Sequence, residues 1–247
     1  SKYISGFKAG TQKIEQVVKA RFPQARVLRM DMDTTRTKDG YEQILSAFSN
    51  HEADILIGTQ MIVKGHDFPK VTLVGILAAD LSLNASDYRA GERTFQLLTQ
   101  AVGRAGRGGL PGEAVIQTYQ PDHYAITCAA AQDYKSFYEE EILYRELSGY
   151  PPAAHMLAVQ IYGKEEENVK QLALRLTDVV KSNMDFLQIL GPTPANISKI
   201  NDIYRYVFYA KHAEYDTLVA VKDCVEETLR QWQPRQLSIQ FDFDPVN

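Results

Sequence analysis

Cysteine is scarce in this chain: only Cys128 and Cys224 occur among 247 residues, far apart and without a Cys-x-x-Cys neighbour. That excludes a disulfide framework and a Cys-based zinc site, and leaves two thiols expected to pack as small buried hydrophobes. Long apolar runs are missing too. No stretch approaches the roughly 18 residues that would cross a bilayer, and the first residues lack the basic-then-apolar layout of a signal peptide, so a cytosolic protein without membrane attachment is expected. Neither Gly-x-x-x-x-Gly-Lys-Ser/Thr nor Asp-Glu-x-His occurs anywhere, so no phosphate loop of that kind is present. Low-complexity tracts and repeats of solenoid length are likewise absent, and with 45% apolar residues the chain can bury one large core or two modest ones.

The net charge of −4 argues against a generally basic coat, yet the average hides an asymmetry. Residues 1–112 hold 15 Lys and Arg against 11 Asp and Glu, whereas 113–247 hold 12 against 20. A phosphate-binding surface therefore belongs on the first part.

The first part alternates. A helix is expected over 12–22, with Thr11 as its cap, Ile14, Val17 and Val18 as an apolar stripe, and Pro23 ending it. Strands follow at 26–30, 54–57, 71–77 and 114–119, with helices at 41–48 and 92–105, a pattern of parallel sheet covered on both faces. Residues 123–147 read as one helix, closed by Gly149-Tyr150-Pro151-Pro152, where consecutive prolines force extended backbone. Beyond lie a strand at 156–162, a helix at 165–181, strands at 187–190 and 203–211, a helix at 216–232 and a strand at 237–242. The order β-α-β-β-α-β is that of the split βαβ, ferredoxin-like arrangement. Three parts are expected: 1–122, a helical connection over 123–150, and a second domain over 151–247.

Two stretches carry the chemistry, Gly58 to Asp67 and Glu92 to Gly109. On a helix drawn through the second, Arg104 and Arg107 fall four and seven residues after Gln100 on one face, with Phe95, Leu98 and Val102 opposite and ready to dock on a sheet. Gly103, Gly106, Gly108 and Gly109 leave room for a large anion. Arginine suits phosphate because its planar fork donates two parallel hydrogen bonds and stays charged. Read alone, two arginines in a glycine-rich turn are as readily a solvated loop.

Gln-x-x-Gly-Arg-x-Gly-Arg at 100–107 resembles motif VI of superfamily 2 helicases, and Gly58 to Asp67 resembles their motif V. The longer string from Gly58 to Val74, then Glu92 to Gln100, Pro111 to Tyr119 and Tyr150-Pro151-Pro152, is similar to the bacterial replication-restart helicases of the primosomal protein N-prime (PriA) family. That resemblance implies a second RecA-like lobe of an ATP-dependent 3′-to-5′ DNA helicase, followed by a tail domain similar to a ribosomal protein of split βαβ topology. It implies that Arg107 is an arginine finger on the γ-phosphate of ATP with Mg, Arg104 its companion, and Gln100 a polar positioner. Gly65 and Asp67 would face the nucleotide; Gly58, Thr59 and Lys64 would approach a DNA phosphate; Thr11 and Lys13 would touch the DNA backbone, although a simple helix cap explains Thr11 equally well. His66 reads as structural. Tyr204, Tyr206 and Phe208 alternate onto one strand face beside Arg205, available to stack bases or, more simply, to fill a core.

Expected partners are single-stranded and forked DNA, single-stranded-DNA-binding protein and primosome or helicase-loader proteins, in a bacterial, nucleoid-associated setting. The family's phosphate loop and zinc cysteines do not occur in this chain, so hydrolysis by it alone and zinc binding are not expected; both would belong to an upstream part. Residues 80–84 and Ala153-Ala154 depart from the pattern. The competing readings are a lobe of another superfamily 2 translocase and a non-catalytic DNA- or protein-binding scaffold.

Overall fold

β-α alternation in the first half and an antiparallel sheet in the second build two units in a computed structural model, which describes residues 10–35, 39–62, 68–85, 87–106, 111–234 and 236–246. One unit joins Ser1–Ala85 and Ala90–Phe137; the other joins Ser86–Arg89 and Tyr138–Asn247. The helical connection expected over 123–150 is thus shared between them.

The first unit runs α1 (Thr11–Arg21), β1 (Val27–Met30), α2 (Gly40–Ser49), β2 (Ile55–Gly58), a 3-10 turn (Gln60–Ile62), β3 (Leu73–Ile76), α3 (Asp80–Leu83), α4 (Ala90–Val102), β4 (Glu113–Ile116) and α5 (Tyr124–Ala131). β1 pairs in parallel with β2, Met30 opposite Gly58, and β3 in parallel with β4, Ile76 opposite Ile116. Parallel neighbours need crossovers, and the helices between them supply these. Among the described residues of this unit the strands form two parallel pairs, in keeping with the parallel sheet expected.

Three local expectations change. Gly10, not Thr11, is the N-cap of α1; Thr11 is the first helical residue, and its hydroxyl donates to Asp31. Val17 of the expected apolar stripe is 56% exposed. α4 ends at Val102, where the amides of Gly103, Arg104 and Ala105 turn back to Thr99, Ala101 and Val102 at 3.0, 3.0 and 3.2 Å, a tightened last turn. Arg104 therefore leaves the helical face it was expected to share with Gln100. Phe95 and Leu98 are buried, but chiefly among Ala125, Ile126 and Ala129 of α5 and against Phe137, whose ring stacks on Phe95 at 4.0 Å; Ile76 and Ile116 supply the sheet side. Val102 stays half-buried, as do both cysteines.

The single helix expected over 123–147 is two, α5 and α6 (Tyr134–Ser148). Gln132 turns left-handed at φ 56°, and the amides of Gln132 and Asp133 close α5 on Ala129 and Cys128. Asp133 then caps α6, accepting from the Ser136 amide at 3.0 Å and hydroxyl at 2.6 Å.

In the second unit β5 (His155–Gly163), α7 (Glu166–Asn183), β6 (Gln188–Ile200), β7 (Ile203–His212), α8 (Tyr215–Trp232) and β8 (Leu237–Phe243) make one antiparallel sheet in the order β6-β7-β5-β8. Each βαβ leaves a slot that the other fills, which is the split arrangement the element order implied. Tyr206 and Phe208 lie in the core between sheet and helices with Tyr204 packed against them, so the alternation served the core. β6 continues through Gly191, Pro192 and Pro194, beyond the short strand expected, because an edge strand tolerates prolines. Gly191 is needed there: its φ is +92°, and a Cβ would meet the Val207 carbonyl at 3.0 Å.

A set of rings and cations ties this unit to itself. Tyr88 stacks on Tyr150 at 5.1 Å, the Arg145 guanidinium lies 5.4 Å from the Tyr88 ring, and the Lys211 ammonium lies 3.8 Å from the Tyr150 ring. Arg145 is buried, pairing with Glu141 at 2.6 Å and donating to the Pro151 carbonyl at 2.9 Å. Lys211 donates to the Ser148 carbonyl at 2.5 Å, and burial pulls its ammonium below the ordinary lysine value.

Candidate functional site

Because β1 and β2 run parallel, Met30 and Gly58 end side by side, at the carboxyl edge where open α/β sheets receive ligands. The missing side chain of Gly58 is used by the fold first: a Cβ would stand 2.5 Å from Ile62 Cγ2 and 2.7 Å from the Met30 carbonyl. Asp31, next along the chain, is buried and organises the edge. Its carboxylate accepts from the Thr11 hydroxyl and from the amides of Asp33 and Thr34 at 3.1 and 3.0 Å, and pairs with Arg29 at 3.0 Å. The Thr11 hydroxyl foremost, with the Thr34 amide and Arg29, holds the Asp31 carboxyl below the usual carboxylate value against the opposing effect of burial.

Beside this edge lies a cleft of about 530 Å³. α4 contributes Arg93, Gln96, Leu97 and Gln100 at helical spacing; the 3-10 turn contributes Gln60; α3 and the residues after it contribute Leu81, Ser82 and Ala85. The residue that follows Thr59 in motif V and the first residue of motif VI thereby share one cavity. α3 is too short to stand alone. Asp80 anchors it, accepting from the Thr118 hydroxyl at 2.7 Å and the Tyr119 amide at 3.0 Å. Burial raises the Asp80 carboxyl, but these donors outweigh it and the net shift is downward.

The expected site residues separate into three groups. Gln100 lines the cleft, while Gly58 ends β2 and Thr59 joins it to the turn that contributes Gln60, Thr59 and Gln100 both exposed. Arg104 follows the end of α4, half-buried, while Thr11 and Lys13 are on α1, the first engaged by Asp31 and the second exposed; none of the three lines the cleft. Lys64, Gly65, Asp67 and Arg107, with His66, Gly108 and Gly109, lie outside the described residues. Gln60, Ser82, Arg93 and Gln96 were missed. Counting back from Gln100 by four and seven residues would have found Gln96 and Arg93, whereas Ser82 sits on the one helix that sequence periodicity did not show. Among the described residues no three His, Cys, Asp or Glu side chains form a metal-ligating group, and no helix is long and apolar enough to cross a membrane.

Comparison with known proteins places both halves. A model described as "Helicase conserved C-terminal domain" matches residues 4–109, and one described as "Primosomal protein N C-terminal domain" matches residues 146–246. Replication restart protein PriA of Bacillus subtilis (strain 168) is 42% identical over 247 residues, covering 99% of this chain and 31% of that protein. The Synechocystis sp. protein of the same name is 37% identical, covering 100% of this chain and 29% of its own length, and that of Chlamydia pneumoniae is 44% identical over 83% of this chain and 28% of its own. The chain spans about 30% of the length of these relatives. Along the chain, then, a first part matching the RecA-like helicase C-terminal domain is followed by one matching the primosomal C-terminal domain, and nearly all of it is similar to part of the replication restart protein PriA.

Proposed function

We propose that this chain is the portion of an ATP-dependent 3′-to-5′ DNA helicase that completes the nucleotide site and carries the tail domain, in a cytoplasmic, nucleoid-associated machine that recognises stalled forks and nucleates primosome assembly for replication restart. Residues 1–122 act as the second lobe, 123–150 as the connection and 151–247 as the tail. Single-stranded and forked DNA, single-stranded-DNA-binding protein and helicase-loader proteins are its partners. The observation that carries the reading is the cleft at the carboxyl edge of the parallel strands, where Gln60 of the motif V turn and Gln100 of motif VI converge.

The lining chemistry bears on the cofactor. Among the described residues, amides, one hydroxyl and a guanidinium line the cleft beside Leu81, Ala85 and Leu97, a donor set suited to phosphate oxygens. ATP, when bound, would supply the phosphoryl bond whose cleavage drives movement, and most of the groups for its Mg would come from the other lobe. On this chain Gln100 orients polar groups at the cleft, while Arg104 and Arg107 bring fixed positive charge to the phosphates, stabilising the charge that spreads over their oxygens in the transition state without reorganisation. Without a phosphate loop the chain does not turn over ATP alone.

The test is Arg107→Ala in the full-length protein. DNA-stimulated ATP hydrolysis should fall by about 1,000-fold or more, the range of an arginine finger, with fork binding nearly intact. Near-normal turnover would refute the assignment. Mixing the 247-residue chain with a separately expressed upstream half should restore an activity that the same substitution removes.

A further inference from the structure

The last carbonyls of a helix need donors from outside it. At the end of α4 the Thr99 carbonyl accepts twice, from the Gly103 amide at 3.0 Å and from the side-chain amide of Gln132 at 3.1 Å. Gln132 stands at the end of α5, 33 residues beyond Thr99, so the string that marks motif VI contains no hint of it. A Cβ on Gly103 would lie 3.6 Å from the Gln132 side-chain nitrogen and 3.2 Å from the Thr99 carbonyl oxygen; part of the room that Gly103 leaves is taken by this side chain. At the far end of the turn the Gly106 amide donates to the Val71 carbonyl at 3.0 Å. Arg104 falls between the two attachments.

The backbone of Gln132 gives a second reason. At φ 56° it holds the left-handed conformation that closes α5, a place where glycine is the usual residue because it has no Cβ to clash. Glutamine has no backbone advantage there. What it offers beyond glycine is its side chain, and that side chain binds Thr99. α5 is a firm base for it, since Ala125, Ile126 and Ala129 are buried in one cluster with Phe95 and Leu98 of α4.

Resting on the reading of motif VI above, we infer that Gln132 is a positioning residue for that motif: its amide, bound to the Thr99 carbonyl, holds the turn from Gly103 to Gly106 so that the motif's arginines are presented to phosphate. It touches no substrate and acts through the backbone of the turn. The chemistry needed is a donor long enough to reach the carbonyl. A carboxylate in its place would set an acceptor against the negative end of α4.

Gln132→Gly, Gln132→Glu and Gln132→Lys are made in the full-length protein. In each, kcat and KM for DNA-stimulated ATP hydrolysis, the thermal midpoint and amide hydrogen exchange over Gly103–Gly106 are measured. Gln132→Gly removes the donor while giving the backbone the residue it prefers, so the midpoint stays near the parent's. Its kcat falls by about fivefold to tenfold, the population that one net hydrogen bond shifts, with KM for ATP within about twofold, and exchange over the turn quickens by a similar factor. Gln132→Glu loses at least as much. Gln132→Lys, whose ammonium donates to the same carbonyl and suits a helix C-terminus, recovers about half of the parental kcat or more. Parental kcat in both Gln132→Gly and Gln132→Glu overturns the inference, and so does a loss that Gln132→Lys shares in full. If Gln132→Gly lowers the midpoint as well, the contrast of Gln132→Glu with Gln132→Lys decides, and equal kcat in those two overturns it. A parent protein without DNA-stimulated hydrolysis would sink the reading of the site itself; unchanged exchange over Gly103–Gly106 in Gln132→Gly would then overturn the role of Gln132 on its own.

Discussion

Gly58 was legible as a residue that must lack a side chain, and the fold supplies a reason of its own. A motif V glycine invites the reading that DNA comes close; in the fold the Ile62 side chain and the Met30 carbonyl already occupy the space a Cβ would need. The carbonyl is paired backbone at the end of β1 and cannot swing aside as a flexible side chain would. Gly58→Ala should therefore destabilise by about 1–3 kcal/mol, the usual cost of forcing an extra carbon into a packed place. A urea midpoint lower than the parent's would show it, and an unchanged midpoint would mean the 3-10 turn relaxes freely. Asp31 was invisible beforehand for a related reason: Arg29 is its neighbour two residues back, but Thr11 is brought to it by the docking of α1, and nothing in the local sequence announces that.

At the scale of elements, periodic segments were readable and their ends were not. The amphipathic helices α7 and α8 and the apolar strands β5, β7 and β8 emerged within a few residues of their expected limits, because the helices repeat their apolar positions at helical spacing and the strands are short apolar runs bounded by turns. α4 was overextended to Ala105, because glycine and arginine continue the helical spacing on paper while the backbone tightens after Val102. The break at Gln132 was missed because glutamine is a good helix former; Asp133 followed by Ser136 was the available signal. α3 had no signature beyond its acid. Four residues do not nucleate a helix, so Asp80 and its donors from beyond β4 hold this wall of the cleft. Asp80→Ala should leave the Thr118 hydroxyl and Tyr119 amide without their acceptor at a cost of about 1–3 kcal/mol. Faster amide exchange at Leu81 and Ser82 than in α4 should accompany it, and unchanged exchange there would show that α3 is held by its apolar contacts instead.

For the whole molecule, the two kinds of sheet separate two kinds of work. The first 112 residues carry an excess of four positive charges and the rest an excess of eight negative ones, so phosphate is drawn to the part that holds the cleft and repelled by the part that holds the tail. Stacking on the tail was the other route to DNA, and the fold closes much of it: Tyr206 and Phe208 are in the core, Tyr204 packs against them, and Arg205 lies over the Tyr162 ring at 5.5 Å. On the proposed function the isolated chain would meet DNA through its phosphates, a contact governed by counterion release. With three or four such contacts on a single strand, affinity for oligothymidine should fall by about 20- to 50-fold between roughly 50 and 200 mM salt. Anisotropy titrations at several salt concentrations measure this directly. Tight binding that ignores salt would place the contact on rings instead of arginines, and the exposed aromatic residues of α6, Tyr134, Tyr138 and Tyr144, would then be the ones to replace.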